Sequence, residues 1–279
     1  MFLQCGQRRL DLSAPVVMGV LNVTPDSFSD GGRFVRAERA VDHALQMIRA
    51  GAQLIDVGGE STRPGAEEVG DAEEIARVVP IVRALAWSPA IVSVDTSKAT
   101  VMRAAIDAGA SLINDVRALR EEGALEAVAS SDVGVCLMHM QGEPRTMQAD
   151  PRYGDVVAEV RDFLAERVDA CVERGIRPER ICIDPGIGFG KRLEHNLQLL
   201  AAIPDLLVLQ RPLLIGVSRK SMFASLLGRP VHERMAGSIA VASAAALAGA
   251  HILRVHDVAE TVDAMKVVAA LKNANYRIQ

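Results

Sequence analysis

The chain has 279 residues, of which 49% are hydrophobic, 24% are charged and only 3% are aromatic. A net charge of −4 and so few aromatic side chains are not typical of nucleic-acid-binding proteins, which carry basic surfaces and stacking residues. This length and hydrophobic content suffice for one large domain with a substantial core.

The sequence also lacks the usual signs of export or membrane insertion. No segment resembles a signal peptide, and no apolar run reaches the roughly 18 residues of a membrane span. The four cysteines, Cys5, Cys136, Cys171 and Cys182, are far apart and form no CxxC pair. We therefore expect a cytoplasmic protein with free thiols and no role at a membrane or on nucleic acid.

The chain begins with a short segment, residues 1–15, that we predict to be a small hairpin. Eight apolar runs follow, rich in Val, Ile and Leu and without strict alternation, as is typical of strands buried on both faces of a parallel sheet. The runs are residues 16–21, 53–57, 90–94, 111–116, 134–140, 180–183, 213–217 and 251–255.

Amphipathic stretches with helical period separate these runs. The clearest are residues 36–52, 71–86, 98–110, 155–175 and 258–272. Several end at a glycine just before the next strand, which is typical of helix C-caps.

Eight strand–helix units in this length predict a single-domain α/β protein, a (β/α)₈ TIM barrel. Residues 16–279 would form the barrel, and residues 1–15 would be an extension that closes its floor. A doubly wound sheet is the alternative, but such folds usually have fewer strands and a glycine-rich first turn.

Polar residues follow each predicted strand. They are Asn22, Asp56, Asp95, Asn114, His139, Asp184, Lys220, Arg254 and His256. A single Asp at a strand end is more often a helix cap than a functional group. Because the carboxyl ends of barrel strands meet on one face, eight such ends favour a polar pocket there.

The connection after the first strand, residues 22–32, is longer and more polar than an ordinary turn needs to be. It is either a flexible connector or a lid over a polar ligand. A second long connection, residues 58–66, contains Thr62, Arg63 and Pro64.

Three further stretches indicate a site for anions. Residues 184–191 superficially resemble a phosphate-binding P-loop, but Pro185 and Arg192 do not fit that motif, so only a glycine-rich loop around Phe189 remains. Arg219 and Lys220 lie at a predicted helix start, where cations oppose the helix dipole unless an anion or carbonyl is near.

The third stretch places Arg254 and His256 on one strand face, a pairing that suits a phosphate or diphosphate. No zinc pattern or Ser-His-Asp arrangement is readable. Mg²⁺ remains compatible with the sequence, because it needs only one or two protein oxygens, and Asn22 is a candidate ligand.

Eight motifs occur in the order MGVLNVTPDSFSDGG, IDVGGESTRPGA, VDTSK, INDV, LMHMQGEPRTMQ, DPGIGFGK, SRKSM and RVHDV. Together they resemble the motif series of bacterial dihydropteroate synthases, from the first strand to the last helix. One departure is Ile187, where relatives often carry an aromatic residue.

The resemblance implies an enzyme that joins 6-hydroxymethyl-7,8-dihydropterin diphosphate to 4-aminobenzoate, with Mg²⁺, in folate biosynthesis. Asp95, Asn114, Asp184 and Lys220 would bind the pterin. Thr62, Arg63, Arg254 and His256 would bind the diphosphate, and Asn22 the metal. The aminobenzoate pocket, where sulfonamides compete, would consist of Phe28, Pro64, Phe189, Lys220 and Ser221.

Asp95, Lys220, Arg254 and His256 are the candidate catalytic residues, in a dissociative displacement where Asp95 stabilises positive charge on the pterin methylene. The resemblance also implies a homodimer, for which the Ala-rich helix 238–249 is a candidate interface. Three alternatives remain: a methyltetrahydrofolate-dependent methyltransferase, a Schiff-base aldolase using Lys220, and a paralogue that binds pterin without turnover.

Overall fold

The computed structural model describes residues 1–23, 33–61, 68–144 and 146–274, with only the backbone described at 33–36. Its strands are β1 (Phe2–Cys5), β2 (Arg8–Asp11), β3 (Val16–Asn22), β4 (Leu54–Gly58), β5 (Ile91–Asp95), β6 (Leu112–Asp115), β7 (Gly134–Met138), β8 (Ile181–Asp184), β9 (Leu214–Ile215) and β10 (Ile252–Val255).

The α-helices are α1 (Arg33–Arg49), α2 (Asp71–Leu85), α3 (Ala99–Asp107), α4 (Ala124–Ala129), α5 (Val156–Glu173), α6 (Leu193–Ala201), α7 (Ile203–Leu206), α8 (Met222–Leu227), α9 (Met235–Ala248) and α10 (Val258–Asn273). Within the described parts of the chain, no helix is both long and apolar enough to cross a membrane.

Eight parallel strands form one sheet in the order β8-β7-β6-β5-β4-β3-β10-β9. A parallel bridge between Ile183 and Leu213 joins β8 to the residue before β9 and so closes the ring. Each of the eight apolar runs overlaps one of these strands. The predicted TIM barrel is therefore confirmed, and the doubly wound alternative is wrong.

The helices pack on the outside of the barrel through its main apolar core. The predicted glycine C-caps are present: Gly51, Gly109 and Gly249 have φ values of +106°, +108° and +116° after α1, α3 and α9. In this left-handed region a residue with a Cβ is disfavoured, so these glycines end their helices where the chain must turn into the next strand.

The N-terminal hairpin closes one end of the barrel. β1 and β2 pair antiparallel, and their side chains Leu3, Cys5 and Leu10 are buried against the inward-facing residues at the amino ends of the barrel strands. The predicted hairpin is confirmed, while the division of the chain after residue 15 stays a prediction. All four cysteines are free and buried, as expected.

The barrel interior changes from apolar to polar along the strands. In β4, Leu54 belongs to the apolar floor cluster, whereas Asp56, two residues further on, is a buried carboxylate. In β10 the same spacing separates Ile252 from Arg254. Because alternate residues of a strand share one face, these two strands each contribute an apolar residue below and a polar one above.

Candidate active site

The polar upper half of the barrel is organised around Asp56, which has no exposed surface. Its carboxylate accepts hydrogen bonds from Ser93 Oγ at 2.6 Å, from Asn114 Nδ2 at 3.0 Å and from Arg254 Nε at 2.6 Å. These donors come from β5, β6 and β10, so one buried carboxylate connects residues from both sides of its own strand. Asp56, Ser93, Asp95, Asn114, Asp184 and Arg254 are called the polar cluster below.

Arg254 bridges two carboxylates. While Nε donates to Asp56, Nη2 donates to Asp95 Oδ2 at 2.8 Å. Burial acts to lower the pKa of Arg254, but the two carboxylates outweigh it and the pKa is raised. The guanidinium is therefore a permanent cation at the mouth of the barrel.

Asp95 has a carboxyl group that is difficult to ionise. Burial raises its pKa to about 7, with the charge of Arg254 acting in the opposite direction and that of Asp56 in the same direction. Asp95 ends β5, in register with Gly58 of β4 and Asn114 of β6. The strand pairing thus places the carboxylate next to the Asn114 amide.

Asp184 and Lys220 lie on the other side of the cluster. Burial raises the pKa of Asp184, although its Oδ1 accepts the Gly186 N–H at 2.7 Å. Burial also lowers the pKa of Lys220 to about 8, while the charge of Asp184 acts to raise it. The site therefore holds an acid and a base whose charges depend on each other.

Lys220 also contacts the glycine-rich loop. Its Nζ donates to the Ile187 carbonyl oxygen at 2.5 Å and lies 4.2 Å from the centroid of the Phe189 ring. Gly186, Gly188 and Gly190 have φ values of +66°, +82° and +61°, which let the backbone turn tightly around Phe189. The carbonyl partner expected for a cation at this position is therefore present.

Arg219 has a different role from its neighbour. Its guanidinium forms a bidentate pair with Asp257 at the start of α10. This pairing explains how a cation at this position is stabilised by the protein itself.

His256 follows β10 and contacts Ser218, which follows β9. The His256 main-chain N–H donates to Ser218 Oγ at 3.1 Å, and Nδ1 lies 3.0 Å from the same oxygen. The serine therefore fixes the orientation of the imidazole ring near Arg254.

The predicted residues are only partly described. Asp95, Asn114, Asp184, Lys220, Arg254 and His256 all lie at the carboxyl ends of the barrel strands, and Phe189 contacts Lys220. Ser221 is exposed, directly before α8. Phe28, Thr62, Arg63 and Pro64 lie outside the described residues, as do most of the two connections interpreted as possible lids.

Comparison with known proteins decides the family. A family model described as pterin binding enzyme matches residues 18–256. The dihydropteroate synthase of Escherichia coli K12 is 55% identical over 266 residues, which are 95% of this chain and 94% of the relative. This chain belongs to the dihydropteroate synthases. The prediction from the eight motifs is confirmed, and so is the prediction of an enzyme.

Solved structures of dihydropteroate synthases have the same fold. The Yersinia pestis enzyme, in a sulfonamide drug complex, gives a TM-score of 0.93 at 53% identity and covers 98% of this chain and 100% of its own. The Burkholderia cenocepacia enzyme, complexed with 7,8-dihydropteroate, gives 0.90 at 48% identity, with 98% and 97% covered.

A metal ion in a dihydropteroate synthase of this sequence would rely on few protein ligands. Among the described residues, no group of three or more His, Cys, Asp or Glu side chains is arranged to hold a metal. Asn22 is half-buried at the end of β3, and its Oδ1 lies beside Gly58, which also neighbours Asp95. One amide oxygen completed by water and phosphate oxygens fits Mg²⁺, which retains most of its water in proteins.

The motifs did not indicate a second, partly buried charged cluster at the rim. Lys98 Nζ donates to Glu60 and Glu74, both at 2.7 Å, and to the Val69 carbonyl oxygen at 2.5 Å. Burial acts to lower the pKa of Lys98, but these two carboxylates raise it. Glu60 Oε1 also accepts the Val69 N–H at 3.1 Å, so the cluster fixes the residues on both sides of 62–67.

Asp56 and Ser93 are the functional residues that sequence reasoning missed. Asp56 is one of the polar strand ends, but no substrate contact was predicted for it, and Ser93 lies inside an apolar run. The available signal was the two-residue spacing, which puts Asp56 on the same face as Gly58, and Ser93 on the same face as Asp95.

Proposed function

We propose that this chain condenses 6-hydroxymethyl-7,8-dihydropterin diphosphate with 4-aminobenzoate, giving 7,8-dihydropteroate and pyrophosphate. The observation that carries the proposal is the bridge from Arg254 to Asp56 and Asp95. It holds a cation beside a carboxylate at the one place where a diphosphate and a pterin would meet.

The pterin would lie against the polar cluster. A pterin ring presents N–H donors and carbonyl and ring-nitrogen acceptors along its edges. Asp95 and Asp184 accept hydrogen bonds, Lys220 donates them and the Asn114 amide does both. These four side chains lie on three strands and one loop, which fixes them around a single flat ligand.

The diphosphate would lie above the pterin, nearer to solvent. Arg254 and His256 are placed to donate to its oxygens, and Thr62 and Arg63 would contribute from the second connection. Mg²⁺ held by Asn22 would neutralise part of its charge.

The aminobenzoate would lie against Lys220 and Phe189. The Lys220 ammonium and the Ser221 hydroxyl suit its carboxylate, while the Phe189 ring suits its aromatic face. Phe28 and Pro64 would complete the pocket from the two connections.

The reaction proposed is a dissociative displacement. The bond between the pterin methylene and the diphosphate oxygen breaks, and the electron pair leaves with pyrophosphate, whose charge Arg254 and His256 stabilise. The methylene then carries positive charge, which the Asp95 carboxylate stabilises. The aminobenzoate nitrogen attacks this carbon, and the new C–N bond forms before the nitrogen loses a proton to water.

We further propose a cytoplasmic homodimer. Four side chains between the end of α8 and the start of α9 are apolar and substantially exposed: Leu226, Leu227, Val231 and Met235. A second copy of the chain would cover this surface, which extends the interface predicted at residues 238–249. The four free, buried cysteines fit a reducing compartment.

Pyrophosphate release from the dihydropterin diphosphate with Mg²⁺, measured with and without 4-aminobenzoate, tests the reaction. We expect release that depends on 4-aminobenzoate, together with formation of dihydropteroate. Tight pterin binding without release would instead favour the non-catalytic paralogue or the methyltransferase.

A further inference from the structure

The glycine-rich loop is held by side chains along its whole length. Five consecutive main-chain carbonyl oxygens, those of residues 186–190, each accept a hydrogen bond from a side chain. The donors are Lys191 for Gly186 and Phe189, Lys220 for Ile187, Gln148 for Gly188 and Tyr153 for Gly190. Such a loop has a single, fixed shape.

Lys191 makes the largest contribution to this arrangement. Its Nζ lies 3.0 Å from the carbonyl oxygens of both Gly186 and Phe189, and 2.9 Å from His139 Nδ1. An ammonium group has three N–H donors, which match these three nearest acceptors, while the His139 carbonyl oxygen lies further away at 3.4 Å. The side chain therefore ties the loop to the end of β7.

His139 is in the correct state to accept this hydrogen bond. Burial, followed by the charge of Lys191, lowers its pKa to about 3, so the imidazole is neutral near pH 7. The ring packs edge-on against Phe163, with 4.9 Å between centroids. The Phe163 ring thus helps to hold the acceptor ring in place.

Lys191 is only 3% exposed, and burying its charge costs free energy of desolvation. Burial lowers the pKa of Lys191 to about 7, although the charge of Asp184 acts to raise it. A purely structural position of this kind is usually better filled by an apolar side chain. The reaction steps proposed above do not use Lys191 either, so another reason for this buried amine is needed.

The reason lies in what the loop holds. The Ile187 carbonyl accepts from Lys220 at 2.5 Å, and the Phe189 ring lies 4.2 Å from the same Nζ. Lys191 binds the carbonyls of residues 186 and 189, on either side of Ile187. It therefore fixes the two groups that orient Lys220.

We propose that Lys191 is a positioning residue for the second substrate. It holds Phe189 and, through Ile187, Lys220 in the arrangement that receives 4-aminobenzoate. This inference rests on the proposed function, because it assigns the Phe189–Lys220 wall to the aminobenzoate. It distinguishes Lys191 from Lys220, which contacts substrate.

Lys191→Met tests the proposal, since methionine keeps the length and removes the donors. We expect the KM for 4-aminobenzoate to rise about 20-fold or more, as for a misplaced binding group. The Kd for the dihydropterin diphosphate, measured by calorimetry without aminobenzoate, should rise about fivefold or less, because of the four proposed pterin-binding residues only Lys220 is displaced while Asp95, Asn114 and Asp184 remain in place. Lys266→Met, which changes an exposed lysine of α10, is the matched control and should leave both constants unchanged.

Gln148→Ala provides a second variant that does not disturb a buried charge. Gln148 is exposed and donates to the Gly188 carbonyl oxygen at 2.5 Å, so its removal loosens the same loop without threatening the fold. We expect a smaller rise in the KM for 4-aminobenzoate and little change in the Kd for the dihydropterin diphosphate. An equal loss for both substrates in Gln148→Ala would overturn the proposal.

Amide hydrogen exchange tests the positioning without any substrate. The N–H groups of Gly186, Gly188 and Phe189 are bonded to Asp184 Oδ1, Asn196 Oδ1 and the Gly186 carbonyl. Their exchange should accelerate in Lys191→Met but not in Lys266→Met. Unchanged exchange overturns the positioning role. If the wild type shows no aminobenzoate-dependent turnover, the proposed function is refuted. Faster exchange in Lys191→Met would even then support the role of Lys191 in the loop.

Discussion

Asp56, which is fully buried, accepts the Nε–H of Arg254 at 2.6 Å from β10, two strands away in the barrel. The same carboxylate takes the Ser93 hydroxyl and the Asn114 amide, so it determines the orientation of groups on both sides of the proposed pterin site. Asp56 itself is covered by these donors. It therefore affects substrates only through the residues it holds.

Asp56→Asn should weaken substrate binding and stability together. The amide cannot satisfy three donors, so Arg254 and Asn114 lose their fixed positions, and the charge of Arg254 is left with Asp95 alone. We expect kcat/KM for the pterin diphosphate to fall about 100-fold and the free energy of unfolding to fall by about 2–3 kcal/mol. Steady-state kinetics and urea unfolding measure these changes. Asp263→Asn, at an exposed surface pair, is the control; equal effects of both changes would contradict the role of Asp56.

Asp95→Asn should separate chemistry from binding. Asparagine retains the shape and one acceptor, but it cannot stabilise positive charge on the pterin methylene. We expect kcat to fall about 100- to 1000-fold, while the Kd for the pterin diphosphate changes about fivefold or less. Single-turnover kinetics and calorimetry measure the two quantities. A change confined to KM would mean that Asp95 only positions the substrate.

The pH dependence of kcat/KM should be bell-shaped. Burial raises the pKa of Asp95 to about 7, so the carboxylate that the reaction needs is lost as the pH falls below that value. Burial lowers the pKa of Lys220 to about 8, so the ammonium is lost as the pH rises above it. Asp95 and Lys220 belong to one coupled cluster, so the two limbs report apparent pKa values of the cluster.

Two variants check this assignment. Asp95→Asn should remove the acidic limb, and Lys220→Arg should move the basic limb to higher pH or remove it. Lys191 also titrates near neutral pH, with its pKa lowered to about 7 by burial. Because Lys191 holds the loop as an ammonium, its deprotonation would contribute to the basic limb, and a basic limb that persists in Lys220→Arg but disappears in Lys191→Met would transfer that limb to Lys191.

Leu227→Glu should disrupt the proposed dimer. Leu227 ends α8 and is exposed on the apolar surface that we assign to the interface, where a charge would be buried without a partner. Light scattering after size exclusion should report a monomer at concentrations where the wild type is a dimer. Trp87→Glu changes the most exposed large apolar residue of the described chain, on a different surface, and should leave the dimer intact. A monomeric wild type would refute the interface directly.

The fold was predictable because its signals are local. Buried parallel strands are continuous apolar runs, and glycines such as Gly51 and Gly249 mark the ends of helices before the strands that follow. The short helices α4 and α7 were not predicted, and only the start of α8 was, since six or fewer residues give no helical period to recognise.

The site was predictable only in part. Asp95 and Arg254 stand out because they end apolar runs. The ion pair that joins them depends on Asp56, which contacts residues that are 37 to 198 positions away in sequence. Similarly, nothing distinguishes Lys191 from the other four lysines in the sequence until its Nζ is seen beside two main-chain carbonyls and His139 Nδ1. Pairings at such separations are set by the closed ring of strands and not by any local pattern.

The hairpin of β1 and β2 has a consequence for how substrates enter the site and products leave it. Its apolar side chains cover the amino-terminal end of the barrel, so substrates would enter the site from the opposite, polar end. If the pterin occupies the deepest position, the pterin diphosphate must bind before 4-aminobenzoate, because bound 4-aminobenzoate would block the path to that position. In the proposed arrangement pyrophosphate lies nearer the opening and can leave first. The dihydropteroate product must then leave along the path by which its pterin half entered.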